Sequence, residues 1–297
     1  MKKLNHIIDV NLKDNSIIVY NTNSEKLKVE FVNLDTYFCH YQNTIECNLY
    51  SKLFLNDLKN IRIYIREENK FNLDFHIYEI QIKNMDYTIV KFDSEYSFDF
   101  NKPLSIVIGS SGGGTSIVTK FLKYMGVHFG DDSGFFESRK PHESYGLKLW
   151  LYGLKEDYPI IHHKDNFLKV VSSYNYKNNK INAFKAPDSH NNINILGEIF
   201  PNLKIISVIK KQNNFYNTKE GKIFNELDII EKYDRQNPYL EGYPIFHLDF
   251  DKFFTEYEYV NKVLKFIGVD SMVHNNKQLD SIKFNINFDN RVLNENK

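Results

Sequence analysis

A chain of 297 residues, 42% of them hydrophobic, is long enough for one sizeable core or for two domains of about 100–200 residues each. Lys+Arg and Asp+Glu balance at 38 each, so no net field draws the chain to a nucleic-acid backbone or an anionic membrane, and any anion must be held by local groups. Cys39 and Cys47 match no metal spacing and build no disulfide framework. No run approaches the roughly 20 apolar residues of a membrane span, and no apolar signal core follows the charged start. The expectation is a cytoplasmic protein with no nucleic-acid partner and no membrane span.

From His6 to about Asn101, apolar residues alternate or form short runs: Ile7–Val10, Ile17–Tyr20, Leu27–Val32, Ile61–Ile65, Phe75–Ile82 and Tyr87–Phe92. Turns rich in Asn, Asp and Lys, such as Lys13-Asp14-Asn15-Ser16, separate them, which is the pattern of a β-rich domain over residues 1–100, of sandwich type. It has no glycine and no evident catalytic cluster. His40 and His76 sit among strand-like residues, and no pair of them with Cys39 or Cys47 falls at a ligand spacing, so no metal is expected.

The pattern breaks at Asn101-Lys102-Pro103, and strands then alternate with helical periods across residues 101–297. Strands are expected at Ile106–Ile108, Ile181–Phe184, Ile205–Ile209 and Ile245–Leu248. Helices are expected from Thr115, around Tyr145–Leu154, at Asn192–Ile199 and at Tyr257–Ile267, whose apolar face is Tyr257, Val260, Val263, Leu264 and Ile267. His162 and His163 fall in a stretch read as loop. Such alternation predicts an α/β fold, a parallel sheet flanked by helices, preceded by the β-rich domain. Right-handed crossovers put the loop after the first strand at the carboxyl edge of the sheet, where open α/β folds bind ligands.

That loop is Gly109-Ser110-Ser111-Gly112-Gly113-Gly114-Thr115-Ser116. Glycines let backbone N–H groups turn inward, and the following helix start adds further N–H groups and a positive dipole end, so the stretch is built to hold an anion, with phosphate the first choice. A nucleotide-triphosphatase loop carries Lys before its final hydroxyl. Thr115 stands there instead, which disfavours an ATPase or kinase. No acidic residue ends a matching second strand, which disfavours a dinucleotide site. A glycine-rich turn without a ligand is the plain alternative.

Strand, glycine loop and helix, with the helix ending Leu122-Lys123-Tyr124-Met125-Gly126-Val127-His128-Phe129-Gly130-Asp131, resemble the phosphosulfate-binding P-loop of sulfotransferases, especially the bacterial branch that modifies surface glycans. Ala183-Phe184-Lys185-Ala186-Pro187, Phe200-Pro201-Asn202-Leu203-Lys204 with Ile205–Lys210, and Tyr243–Phe253 with Val263–Val269 are similar to later segments of that family, in the family's order. The resemblance covers residues 102 to about 270. It implies that Gly109–Ser116 holds the 5′-phosphosulfate end of 3′-phosphoadenosine-5′-phosphosulfate, that Lys210 and Thr218 hold the 3′-phosphate, and that no metal takes part. It further implies that the segment Glu137–Gly146 faces the acceptor, with His142 or Glu143 as general base; a solvated helix start is the other reading of these two.

The sequence departs from the family at Gly112, where a loop Arg or Lys is usual. Electrostatic stabilisation by such a cation is typically worth a few kcal/mol, about a hundredfold or more in rate. Lys185, ending a strand on the ligand edge, is the first choice to replace it, with Arg139 second. The expected function is transfer of a sulfuryl group to a hydroxyl of a carbohydrate or surface-polysaccharide precursor. The alternative is a sulfotransferase-like nucleotide-binding or assembly module that has lost catalysis, and another phosphotransferase ranks last. For the β-rich domain the expected partner is a glycan or a partner enzyme.

Overall fold

The computed structural model describes residues 6–22, 26–33, 38–46, 48–55, 58–68, 73–84, 86–92, 97–109, 114–130, 145–174, 181–187, 189–209, 216–217, 223–224 and 240–269. In chain order these form β1 (His6–Asn11), β2 (Ser16–Asn21), β3 (Leu27–Asn33), β4 (Phe38–Ile45), β5 (Tyr50–Phe54), β6 (Asn60–Glu68), β7 (Leu73–Lys83), β8 (Asp86–Phe92) and β9 (Leu104–Gly109). Then come α1 (Thr115–Tyr124), α2 (Tyr145–Tyr152), α3 (Ile160–Tyr174), β10 (Asn182–Lys185), α4 (Ile193–Ile199) and β11 (Leu203–Ile209). A two-residue ladder of β12 (Tyr216–Asn217) and β13 (Ile223–Phe224) precedes β14 (Ile245–Asp249), α5 (Phe250–Thr255) and α6 (Tyr257–Ile267). Among these residues, 6–98 and 145–174 make one compact unit, and 99–130 with 181–269 make a second. No helix among them is long and apolar enough to cross a membrane.

The first unit holds two antiparallel sheets, of order β1-β2-β5 and β4-β3-β6-β7-β8. Period-2 alternation gives each an apolar face. Val10, Ile17, Val19 and Leu53 from the smaller sheet pack with Val29, Phe31, Ile63, Ile65 and Ile80 from the larger in one buried cluster. The β1–β2 and β7–β8 hairpins turn without glycine at Asn15 and Asn84, with φ of 51° and 49°, and Asn48, on the connection from β4 to β5 in the other sheet, takes φ 60°, a left-handed backbone that Asn tolerates better than most side chains. Phe75 and Ile77 point to the opposite face of the larger sheet and are fully buried, because α3 packs on β7 and β8. Asn166 of α3 accepts a 3.1 Å hydrogen bond from the Phe75 amide, just beyond the end of β8, whose last residue pairs with Ile77. His162 and His163 therefore lie on a helix rather than in a loop. The Trp150 indole of α2 donates to the His163 carbonyl at 3.0 Å, and the Trp150 and Phe167 rings meet at 5.0 Å.

The second unit is an α/β arrangement around a four-stranded sheet of order β10-β9-β11-β14, parallel throughout. On one face, Val107, Ala183, Ile206, Val208 and Leu248 pack against Val118, Phe121 and Leu122 of α1, Phe253 of α5, and Val260, Val263, Leu264 and Ile267 of α6. Phe184 points the other way and approaches Phe200 beside α4, ring centres 6.5 Å apart. Lys204 Nζ donates to the Phe266 carbonyl at 2.7 Å, a cation placed on the negative end of α6. Strand order 2-1-3-4 in chain sequence puts the reversal of winding beside β9, and crevices of such sheets open at the carboxyl ends of the strands there.

Candidate functional site

The site grows out of the carboxyl end of β9, whose six residues are all buried. Gly109 ends that strand in a place too tight for a side chain. A Cβ there would stand 2.8 Å from the Val208 carbonyl oxygen and 2.9 Å from Thr115 Cγ2. Its amide donates across to the Pro187 carbonyl at 3.5 Å, joining the ends of β9 and β10. Gly114 resumes the described chain at φ 88°, ψ 4° and caps α1 with no side-chain hydrogen bond. A Cβ on Gly114 would run into the ring of Phe250, so this glycine is required both by its left-handed backbone and by a neighbour at the start of α5.

The Gly114 carbonyl accepts from the amides of Ile117 and Val118, at 3.0 and 3.1 Å. The helix ladder leaves the Thr115 and Ser116 amides, two residues earlier in the same turn, with no intrahelical acceptor. Beside them stands Lys185, the last residue of β10, carried there by the parallel register that pairs it with Val107. Its Nζ donates to Ser116 Oγ at 2.9 Å, although the residue is only 6% exposed. Helix-start amides, a hydroxyl and an ammonium are donor types suited to an anion. Thr115 is buried, and the hydroxyl of Thr119 donates back to its carbonyl at 2.8 Å, which steadies the first turn.

Of the residues singled out from sequence, Gly109, Gly114, Thr115, Ser116 and Lys185 are thus gathered at one edge of the sheet. Ser110, Ser111, Gly112, Gly113, Arg139, His142, Glu143, Lys210 and Thr218 lie outside the described residues. The sequence reading missed Phe250, whose ring fixes how closely α5 approaches the start of α1; its only sequence signal is its place directly after a strand. It also missed a set in the first unit, His6, Glu67 and His76, whose ligand atoms all lie within 4.8 Å of one another. These come from three strands, so no motif spacing links them.

No family model matches the chain, and no curated protein matches it. Among solved structures, the chain aligns with a β-D-glucuronidase from Dictyoglomus thermophilum at 12% identity and a TM-score of 0.21, over 82% of this chain and 43% of that one. It also aligns with the dodecameric iron-containing heptosyltransferase TibC at 11% identity and a TM-score of 0.15, over 40% of this chain and 26% of that one.

Proposed function

We propose that the second unit is a sulfotransferase-like P-loop domain that transfers a sulfuryl group from 3′-phosphoadenosine-5′-phosphosulfate to a hydroxyl of a carbohydrate or surface-polysaccharide precursor. The observation that carries this reading is the buried Lys185 ammonium, 2.9 Å from Ser116 Oγ at the first turn of the helix that follows the glycine loop. In this reading the loop amides and the hydroxyls of Thr115 and Ser116 hold the 5′-phosphosulfate. The acceptor oxygen attacks sulfur, the bond from sulfur to the bridging phosphate oxygen breaks, and 3′-phosphoadenosine-5′-phosphate leaves. Lys185 stabilises the charge that develops on the transferring group and leaving oxygen, His142 or Glu143 takes the acceptor proton, and Lys210 with Thr218 holds the 3′-phosphate.

Gly112, at the usual position of a loop cation, favours a second reading: a module that keeps the nucleotide and has lost the transfer. Calorimetric titration of the intact protein with 3′-phosphoadenosine-5′-phosphate and, separately, with ATP tests both. The proposal expects the former to bind and ATP to bind far more weakly. Failure of the former to bind removes both readings. Binding without sulfate transfer to a panel of glycans selects the second.

A further inference from the structure

His6, Glu67 and His76 stand at one end of the sandwich core of the first unit. Ile65 pairs with His76, and Glu67, two positions on, points to the same face of the larger sheet. His6 begins β1 in the facing sheet and is turned inward with Val10, its neighbour on the same strand face. Glu67 Oε1 lies 3.1 Å from His6 Nδ1 and 3.3 Å from His76 Nε2. The two imidazoles are 4.8 Å apart between centres and tilted by 58°, so ring edges, not faces, converge on the carboxylate. Side-chain exposures are 1% for His6, 9% for Glu67 and 15% for His76.

We propose that these three side chains bind one divalent transition-metal ion, zinc by the character of the donors, and so tie β1 of one sheet to β6 and β7 of the other. Two imidazole nitrogens and a carboxylate oxygen are a zinc donor set, and ligand bonds of about 2.0–2.2 Å in a tetrahedron set the donors about 3.3–3.6 Å apart. The Glu67 spacings of 3.1 and 3.3 Å need a few tenths of an ångström of opening to admit the ion, and the two imidazole donors, in a set spread over 4.8 Å, must draw together by about 1 Å. A metal-bound imidazole is normally oriented through its other nitrogen. His6 Nε2 is held in this way, 2.8 Å from the Tyr78 hydroxyl. Tyr78 is itself buried, edge-on to His6 at 5.6 Å between ring centres. An ion also offsets the lost hydration of the buried Glu67 carboxylate. Lys91, opposite Tyr78 on β8, adds an opposing positive charge near His6 and moderates the affinity. The fourth tetrahedral position falls to water, reached from the His76 side, where the cluster is least buried.

The experiment uses the full chain purified without a polyhistidine tag and stripped with a chelator. Titration with Co2+ should give the intense visible ligand-field bands of a tetrahedral ion, saturating at one equivalent. Zn2+ should displace them and raise the melting temperature. His76→Ala, at the most exposed ligand, should abolish the bands while leaving the far-ultraviolet circular dichroism unchanged. Tyr78→Phe should retain them with about ten- to hundredfold weaker affinity. A stripped wild-type chain that gives no bands and no Zn2+-dependent rise overturns the proposal and leaves the cluster a hydrogen-bonded network. Bands unchanged in the folded His76→Ala variant place the ion elsewhere and overturn it equally.

Discussion

Replacing Gly114 by Ala tests how the start of α1 is built. The new methyl sits on a backbone with φ 88°, a left-handed conformation that costs an L-residue about 1–2 kcal/mol. It also meets Phe250, with the ring Cζ 3.0 Å away and two ring atoms nearer still. Phe250 cannot withdraw freely, because it belongs to the buried cluster with Val107, Val118 and Phe253, and overpacking of this kind costs about 1–3 kcal/mol. The sum, about 2–5 kcal/mol, is a large part of the 5–15 kcal/mol that stabilises a typical domain. Urea unfolding followed by circular dichroism reads it as a lowered midpoint at unchanged slope. The two causes separate in a cycle with Phe250→Leu: the smaller side chain should recover about 1–2 kcal/mol of the steric part and none of the backbone part. A Gly114→Ala protein within about 0.5 kcal/mol of the parent, or single effects that simply add, would refute the reasoning.

Lys185→Met should leave the melting temperature nearly unchanged while weakening 3′-phosphoadenosine-5′-phosphate by roughly ten- to hundredfold, the worth of a charge-assisted bond of about 1.5–3 kcal/mol; calorimetry that finds equal affinity would remove Lys185 from the site. Asn166→Leu strips the Phe75 amide of its acceptor and should cost about 1–3 kcal/mol in urea unfolding, whereas Asn166→Asp, which keeps an oxygen there, should cost less. His163 is fully buried and its Nε2 donates to the Lys155 carbonyl at 3.0 Å. Burial holds its pKa below the usual 6.5, against that hydrogen bond and with the help of neighbouring His162. The unfolded chain therefore takes up the proton first, so stability should fall as pH drops below about 6.5. His163→Gln should flatten that slope between pH 7.5 and 5.5, and an unchanged slope would assign it to other groups. Asn15→Ala should lower stability by about 1 kcal/mol and Asn15→Gly should not, if the left-handed turn between β1 and β2 is what asparagine serves.

The sequence showed most clearly those elements in which burial and polarity agree. Ile106-Val107-Ile108 reads as an interior strand because every residue of β9 is apolar or small and buried, and Val260, Val263, Leu264 and Ile267 mark the inner face of α6 by spacing alone. Where polar residues are buried, the pattern fails. β5 turns Ser51 inward beside Leu53, so Tyr50-Ser51-Lys52-Leu53-Phe54 shows little alternation. α3 carries His163 and Asn166 on its buried side, each with a backbone hydrogen-bond partner, and the apolar helical period breaks at both. Pairings across long stretches of chain left no local trace. That Lys185 ends a strand was legible, but its 2.9 Å bond to Ser116, 69 residues earlier, follows only from the parallel register of β9 and β10. The placement of α2 and α3 with the β-rich unit likewise depends on partners such as Phe75 and Asn166, 91 residues apart.

The cover that α3 gives to Phe75 and Ile77 sets an order on biosynthesis. Both residues leave the ribosome long before Ile160–Tyr174 exists, and the first strand and helix of the other unit emerge in between. At about 5–20 residues per second, the roughly 75 residues from Phe98 to Tyr174 delay the lid on that sheet face by about 4–15 s. Through that interval the larger sheet presents a greasy, unroofed surface. Fragments cut near residue 101 would keep that surface uncovered permanently.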